Sequence, residues 1–228
     1  MSVESQKVGS PQSVEIRATI SRDGHWCMAK ATPEEMRRIL LGLGTTIYVT
    51  DVTVKPGSKA LVTSDRALDY HTDHHRADLI AWYCLEQTDD GGETILIDAY
   101  ELLRKLSTEQ LHHLRSLRLF EHKVFDGDAE LFPLLSDRFR REKVYYSFWM
   151  NRGDLTREQR EAFLAFKSLT ETAQPICYRL EPGDLLVIDN GRMLHGRTAI
   201  GGNRRRFLKR YWIASLTNKT NYANTTNT

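Results

Sequence analysis

Apolar residues along this chain come in short runs, broken by glycine, proline and polar clusters. Residues 45–54 (TTIYVTDVTV) are rich in β-branched side chains, 79–85 are mostly apolar, and 93–98 follow a Gly-Gly pair. Residues 143–149 are aromatic, 176–180 form a short candidate, and Glu181-Pro182-Gly183-Asp184 turns the chain into the apolar run 185–189. A last long stretch covers 206–216. These runs predict strands, because branched and aromatic side chains pack well on a pleated surface and Gly/Pro turns separate them. Helical signals are confined to three places, each opened by a capping box. Thr32-Pro33-Glu34-Glu35 precedes MRRILLGLG, with Gly42 or Gly44 as the stop; Ser107 with Gln110 precedes LHHLRSL; Thr156 with Gln159 precedes REAFLAFKSL. Many short strands with a few peripheral helices predict a mainly β fold (α+β), a barrel or jelly roll.

Residues 1–13 are polar and patternless, and 217–228 are Asn/Thr-rich. Both read as disordered tails around a single domain over 14–216. The length of 228 residues suits one larger domain. Lys and Arg number 32 against 30 Asp and Glu, a balance that argues against nucleic-acid or membrane-surface binding driven by a bulk positive field. No run approaches ~18 apolar residues, and the N-terminus lacks the apolar region of a secretory signal. Cys27, Cys84 and Cys177 are far apart and odd in number, so they form no disulfide framework and no CxxC zinc pair. A reducing, cytoplasmic setting is expected.

The chemistry is sought first among the eight histidines. In His71-Thr72-Asp73, residues two apart on an extended segment point to the same side, so an imidazole and a carboxylate can offer two adjacent metal ligands. A third ligand from elsewhere would complete a two-His-one-carboxylate face. About one His-x-acid pair is expected by chance from this composition, so the weight rests on the motifs downstream of it and on their order. Gly91-Gly92-Glu93-Thr94 opens a strand; Pro182-Gly183-Asp184 leads through an apolar strand and Asp189-Asn190 to His195-Gly196-Arg197. On the next strand, alternation puts Arg206, Leu208, Arg210 and Trp212 on one face. Two arginines facing a barrel interior would need anionic ligands, and the guanidinium fork suits carboxylates. The competing readings are a solvent-exposed face or internal Asp/Glu partners.

Other candidates carry less. His74 and His75 adjoin the motif as rival ligands. His112-His113 reads as a surface pair on a helix, and the run 145–149 as core. His25 and Trp26 sit in an early loop, a possible cleft mouth. The basic cluster Arg204-Arg205-Arg206 alternates along a strand and does not read as a nucleic-acid site. No GxxxxGK[ST], GxSxG or HExxH motif is present.

Taken in order, His71-x-Asp73, Gly-Gly-x-Thr94, the segment ending His195-Gly-Arg197 and the Arg206…Arg210 strand resemble the taurine-dioxygenase family of clavaminate-synthase-like Fe(II)/2-oxoglutarate dioxygenases. His-Thr-Asp followed by Arg76-Ala77-Asp78 looks like its amino-acid hydroxylase branch. The resemblance implies a double-stranded β-helix (jelly-roll) core. It implies Fe(II) held by His71, Asp73 and His195, and 2-oxoglutarate gripped by Arg206 with help from Thr94. It further implies O2 as oxidant and Arg210 on an acidic group of the primary substrate. That substrate would be a small anionic, amino-acid-like metabolite, free or carrier-tethered, of the kind met in natural-product biosynthesis. The chain is short for that family, and Asp73 stands where the branch commonly has Glu. A carboxylate of either kind argues against halogenase variants. Two alternatives stay open: a non-catalytic jelly-roll binding or sensor protein, and a metal-dependent cupin-type enzyme that ignores 2-oxoglutarate.

Overall fold

The computed structural model describes residues 10–215, apart from positions 56, 59, 139, 140 and 152. The expected tail 217–228 lies outside the described residues, as do residues 1–9. In chain order the elements are α1 (Pro11–Asp23), β1 (His25–Met28), α2 (Pro33–Leu43), β2 (Gly44–Thr53), β3 (Leu68–His71), β4 (Leu79–Glu86) and β5 (Thr94–Asp98). Next come α3 (Ala99–Leu103), α4 (Thr108–Ser116), β6 (Arg118–Phe120), β7 (Leu131–Pro133), β8 (Leu135–Arg138) and β9 (Arg141–Val144). The last are α5 (Arg157–Thr172), β10 (Ile176–Tyr178), β11 (Leu185–Asp189), β12 (Met193–Arg197) and β13 (Phe207–Ser215).

Two antiparallel sheets carry the fold. One is five-stranded in the order β1-β11-β4-β13-β2, and the other four-stranded in the order β10-β5-β12-β3. Alternation along β4 and β11 explains the layering. Leu79, Ala81, Tyr83, Leu185 and Val187 face outward onto Ile16, Ile20, Ile39 and Leu43 of α1 and α2. Ile80, Trp82, Cys84, Leu186 and Ile188 face inward and meet Leu96, Met193, Leu208 and Trp212 between the sheets. A strand buried on both faces reads as a continuous apolar run, which is why residues 79–85 and 185–189 lack polar alternation. A third apolar cluster seats α5 through Phe163 and Phe166, both fully buried against Leu114, Leu134 and Tyr146. Each such ring contributes roughly 1.5–3 kcal/mol of burial free energy. This sandwich of antiparallel sheets matches the jelly-roll expectation.

All three capping boxes are formed, and Gly44 caps α2. Gly42 lies inside α2, where a Cβ would come 2.1 Å from Ser13 Oγ, so its absence of side chain lets α1 and α2 approach.

Three expectations are corrected. Residues 11–13 belong to α1, not to a tail: Ser10 accepts a hydrogen bond from Ser13 N, and Pro11 is preset for the first helical position. Only Ile16 and Ile20, one turn apart, bury apolar surface there, too little to show as a stripe. His25 and Trp26 lie not in a loop but on β1, where they pair with Ile188 and Val187 at the sheet edge. Residues 143–149 are not one strand. Their backbone groups bond in turn to Gly191, Leu134 and Thr72, and Phe148–Met150 form a 3-10 turn.

Candidate active site

β3 and β12 are neighbours, and their register places His71 directly opposite His195. The chain then leaves β3 through a loop that carries Asp73. Asn190, following β11, pins that loop: its Oδ1 accepts from Asp73 N at 2.8 Å, and its Nδ2 donates to the carbonyls of Asp73, His74 and Ala77 at 3.3, 3.2 and 3.0 Å. Thr72 is fixed by Tyr146, whose N–H donates to Thr72 Oγ1 at 2.9 Å. The result brings ligand atoms of His71, Asp73 and His195 within 4.8 Å of one another, all three residues buried.

The protonation pattern suits a metal. His71 Nδ1 lies 2.9 Å from the Asp69 carbonyl, which only accepts, so Nδ1 carries the proton and Nε2 offers its lone pair. Neither ring nitrogen of buried His195 has a hydrogen-bond partner. Burial pushes the pKa of both imidazoles down, His195 well below the usual value with the His71 ring adding to the effect. Both are therefore neutral, as metal ligands must be. Burial would raise the Asp73 carboxyl, but the Arg210 charge foremost, with the hydrogen bond from Trp212, outweighs it and holds its pKa below the ordinary range. A buried carboxylate beside two neutral imidazoles with unsatisfied nitrogens is a donor set that fits a divalent transition metal on one face. Arg210 Nη1 donates to both Asp73 oxygens at 2.9 Å, and Trp212 Nε1 donates to Oδ2 at 2.8 Å.

A narrow cavity of about 30 Å³ runs from His71 and His195 past Trp82 to Thr94, Arg197, Arg206 and Arg210. Arg206 is buried at its inner end, donating from Nε to the Gly92 carbonyl at 2.9 Å and from Nη2 to Thr94 Oγ1 at 3.4 Å. No carboxylate among the described residues pairs with it, and burial, then the nearby Arg197, lowers its pKa to about 10. An unneutralised buried guanidinium is costly unless an anion meets it. The Gly91-Gly92 pair makes the approach possible. Both have positive φ, and a Cβ on Gly91 would come 2.0 Å from the Ala199 carbonyl.

On the other side of the triad opens a cavity of about 420 Å³, lined by Tyr48, Thr50, Leu61, Val62, His122, Val124, Trp149, Arg210 and Trp212, among others. Arg210 lines this cavity and also holds Asp73, the internal acidic partner that the competing reading of this strand named. Arg197 is buried and donates to the carbonyls of Leu61, Val62, Ser64 and Arg66 at 3.5, 3.1, 2.8 and 2.6 Å. It thereby holds the segment that walls the cavity. Tyr48, Thr50, His122, Trp149 and Arg197 were not singled out for this site. Trp149 was expected in the core with Tyr145 and Tyr146, and those two are buried there. His25 and Trp26 lie outside both cavities. His112 and His113 sit on α4, with His112 exposed.

The rival histidines turn elsewhere. His74 Nε2 lies 3.3 Å from Glu121 Oε1 and 3.1 Å from Asp128 Oδ2, and His75 Nε2 contacts Glu121 Oε1. His74 Nδ1 accepts the Arg76 N–H at 3.1 Å, so the proton of the neutral ring sits on Nε2, facing the carboxylates. That tautomer makes His74 a donor, not a ligand. Arg76 pairs with Asp128 at 2.9 Å. The cluster staples the 121–128 segment, and with it His122 and Val124, to the loop behind Asp73.

The chain is similar to several known proteins. Trimethyllysine dioxygenase of Meyerozyma guilliermondii is 26% identical over 135 residues, a match covering 50% of this chain and only 33% of that protein's length. Among solved structures, asparagine oxygenase superposes with a TM-score of 0.73 at 17% identity, covering 89% of this chain and 77% of that one. The non-heme iron oxygenase OrfP, in complex with Fe and alpha-ketoglutaric acid, gives 0.71 at 19% identity, covering 90% and 80%. PvcB from Pseudomonas aeruginosa gives 0.65 at 18% identity, covering 92% and 83%. These structures share the fold. The sequence profile described as "Taurine catabolism dioxygenase TauD, TfdA family" matches residues 42–212, which takes in every residue of the triad and the three cavity arginines Arg197, Arg206 and Arg210. The chain belongs to the TauD/TfdA dioxygenase family.

Proposed function

We propose that the protein is an Fe(II)- and 2-oxoglutarate-dependent oxygenase that hydroxylates an unactivated C–H bond of an amino-acid-like anionic metabolite. The single observation that carries this reading is the juxtaposition of a buried face of two neutral imidazoles and one carboxylate with a buried guanidinium, lining the same narrow cavity, that meets no carboxylate among the described residues. His71, Asp73 and His195 would hold the iron. Iron with 2-oxoglutarate supplies oxygen activation, releasing succinate and carbon dioxide.

The chain's own work is binding and orientation. Arg206 and Thr94 receive the distal carboxylate of 2-oxoglutarate, and the bidentate fork of Arg206 fixes its direction as well as neutralising it. Asn190 holds the Asp73 loop, and Arg210 and Trp212 hold the carboxylate itself, so the ligand face is set before metal arrives. Ala60, Leu61 and Val62 from one segment and His122 and Val124 from another form part of the substrate cavity's wall. OrfP in complex with Fe and alpha-ketoglutaric acid, and asparagine oxygenase with Fe(II), 2S,3S-3-hydroxyasparagine and succinate, support the choice of metal, co-substrate and substrate class.

The test is succinate release on addition of Fe(II), 2-oxoglutarate and ascorbate, with iron content measured in parallel. Asp73→Ala is expected to lose both bound iron and succinate formation. Unchanged succinate yield in that variant would refute the reading. Metal-dependent turnover that ignores 2-oxoglutarate would favour the cupin-type alternative, and no turnover of any kind the sensor.

A further inference from the structure

Aromatic rings converge on the larger cavity from both sheets. Tyr48 of β2 and Trp212 of β13 are cross-strand partners in the five-stranded sheet, with ring centroids 4.9 Å apart. Phe125 packs on both, at 6.3 Å from each. From the four-stranded sheet, His71 carries Trp149 against its imidazole, with centroids 5.2 Å apart. Leu61, Val62, Leu68 and Val124 complete the apolar lining. The polar lining is mostly the triad and its support, His71, Asp73 and Arg210, joined by Thr50 and His122.

Local structure explains why Trp149 stands there. It is the middle residue of the 3-10 turn Phe148–Met150, which follows Ser147, itself bridged to His71. Both of its neighbours are committed to the core. Phe148 stacks on Phe163 of α5, with centroids 5.9 Å and planes 9° apart, and Met150 packs on the same cluster. The turn is thus pinned on either side of the indole, which is left facing the cavity. Trp149, Tyr48 and Val124 stay 39%, 40% and 37% exposed. Single exposed apolar side chains are ordinary, whereas a set gathered around one concavity marks a surface that a ligand covers. Covering it removes apolar area from water, and stacked or edge-on ring contacts add to that gain.

We propose that this cavity selects an amino-acid-like substrate with a large apolar side chain, aromatic foremost, and that Trp149 is the residue that sets the choice. A planar side chain entering the cavity meets Tyr48 and Trp212 from one sheet and Trp149 from the other. Because Trp149 rests on His71, the apolar wall reaches the metal face itself. The C–H bond presented there accordingly belongs to the apolar side chain of the substrate and not to its polar head group.

This inference rests on the oxygenase reading, and the experiment separates the two. The protein is loaded anaerobically with Fe(II) and 2-oxoglutarate, and the charge-transfer absorption of that complex is recorded before any substrate is added; its absence removes the oxygenase reading and this inference with it. L-phenylalanine, L-tryptophan and L-leucine are then titrated against L-asparagine and L-arginine, following the shift of that band and the change in tryptophan fluorescence. The apolar acids, the aromatic ones foremost, are expected to bind at least about tenfold more tightly. Trp149→Ala should weaken phenylalanine roughly tenfold while 2-oxoglutarate affinity stays within about twofold, and Trp149→Phe should keep most of the parent's affinity. Tyr48→Ala, which alters a ring that touches no metal ligand, gives a second reading should Trp149→Ala fail to hold iron, and should weaken phenylalanine by a similar factor. Asparagine or arginine binding as tightly as the apolar acids overturns the proposal, and so does failure of every apolar acid to bind. A Trp149→Ala or Tyr48→Ala protein that holds iron and binds phenylalanine unchanged overturns it as well.

Discussion

Replacing Arg197 with methionine tests how the cavity wall is held. The substitution keeps much of the apolar stem and removes the donors to four carbonyls of the 61–66 segment. Three of those contacts are 3.1 Å or shorter. A hydrogen bond from a charged donor contributes about 1.5–3 kcal/mol, which bounds the loss at about 5–9 kcal/mol for three. Two effects reduce it. The freed segment can swing out and give its carbonyls to water, and the variant no longer buries a guanidinium whose pKa burial already depresses. A net destabilisation of about 2–4 kcal/mol remains, equivalent to a fall in Tm of about 4–16 °C for a chain of this size. Thermal unfolding measures the global term, and hydrogen exchange over residues 60–66 measures the local one, which should rise most. The Michaelis constant for the primary substrate should rise more than that for 2-oxoglutarate, because Leu61 and Val62 wall the larger cavity. A Tm within about 2 °C of the parent, with unchanged exchange in the segment, would refute the clamp.

Two further outcomes are expected. Arg206→Met should weaken 2-oxoglutarate about a hundredfold in an equilibrium titration while leaving iron content intact, since it removes a charge-assisted fork but no metal ligand; equal loss of both would mean Arg206 supports the metal face instead. Asn190→Ala breaks four hydrogen bonds that fix the Asp73 loop and should cost about 2–4 kcal/mol in chemical denaturation together with weaker iron retention on dialysis.

The strand-rich fold was legible because it left local marks, and the convergence of His71, Asp73 and His195 because their motifs follow one another in a set order. Branched and apolar runs bounded by Gly and Pro gave β2, β4, β5, β11 and β13 nearly to the residue. Alternation on β13 put Arg206 and Arg210 toward the interior, where the structure has both of them lining one cavity. Other features leave no such mark. α1 hides because only two isoleucines bury. The 143–149 segment looks like a strand because its side chains are β-prone, yet its backbone bonds are shared among three separate partners. Thr50, His122 and Trp149 gain meaning only from their neighbours across the fold, and nothing in their local sequence distinguishes them from surface residues.

The order of strands also bears on how the molecule comes into being. β13, the last strand among the described residues, inserts between β4 and β2. A polypeptide emerging from the ribosome thus holds two long, unzipped strand borders until residues 207–215 appear and close the gap. His71 must likewise wait for His195. Assembly is dominated by long-range pairings, which are slow and leave sticky borders open meanwhile. Yield in a heterologous host should accordingly respond to translation rate and chaperone supply more than to the stability of the finished protein.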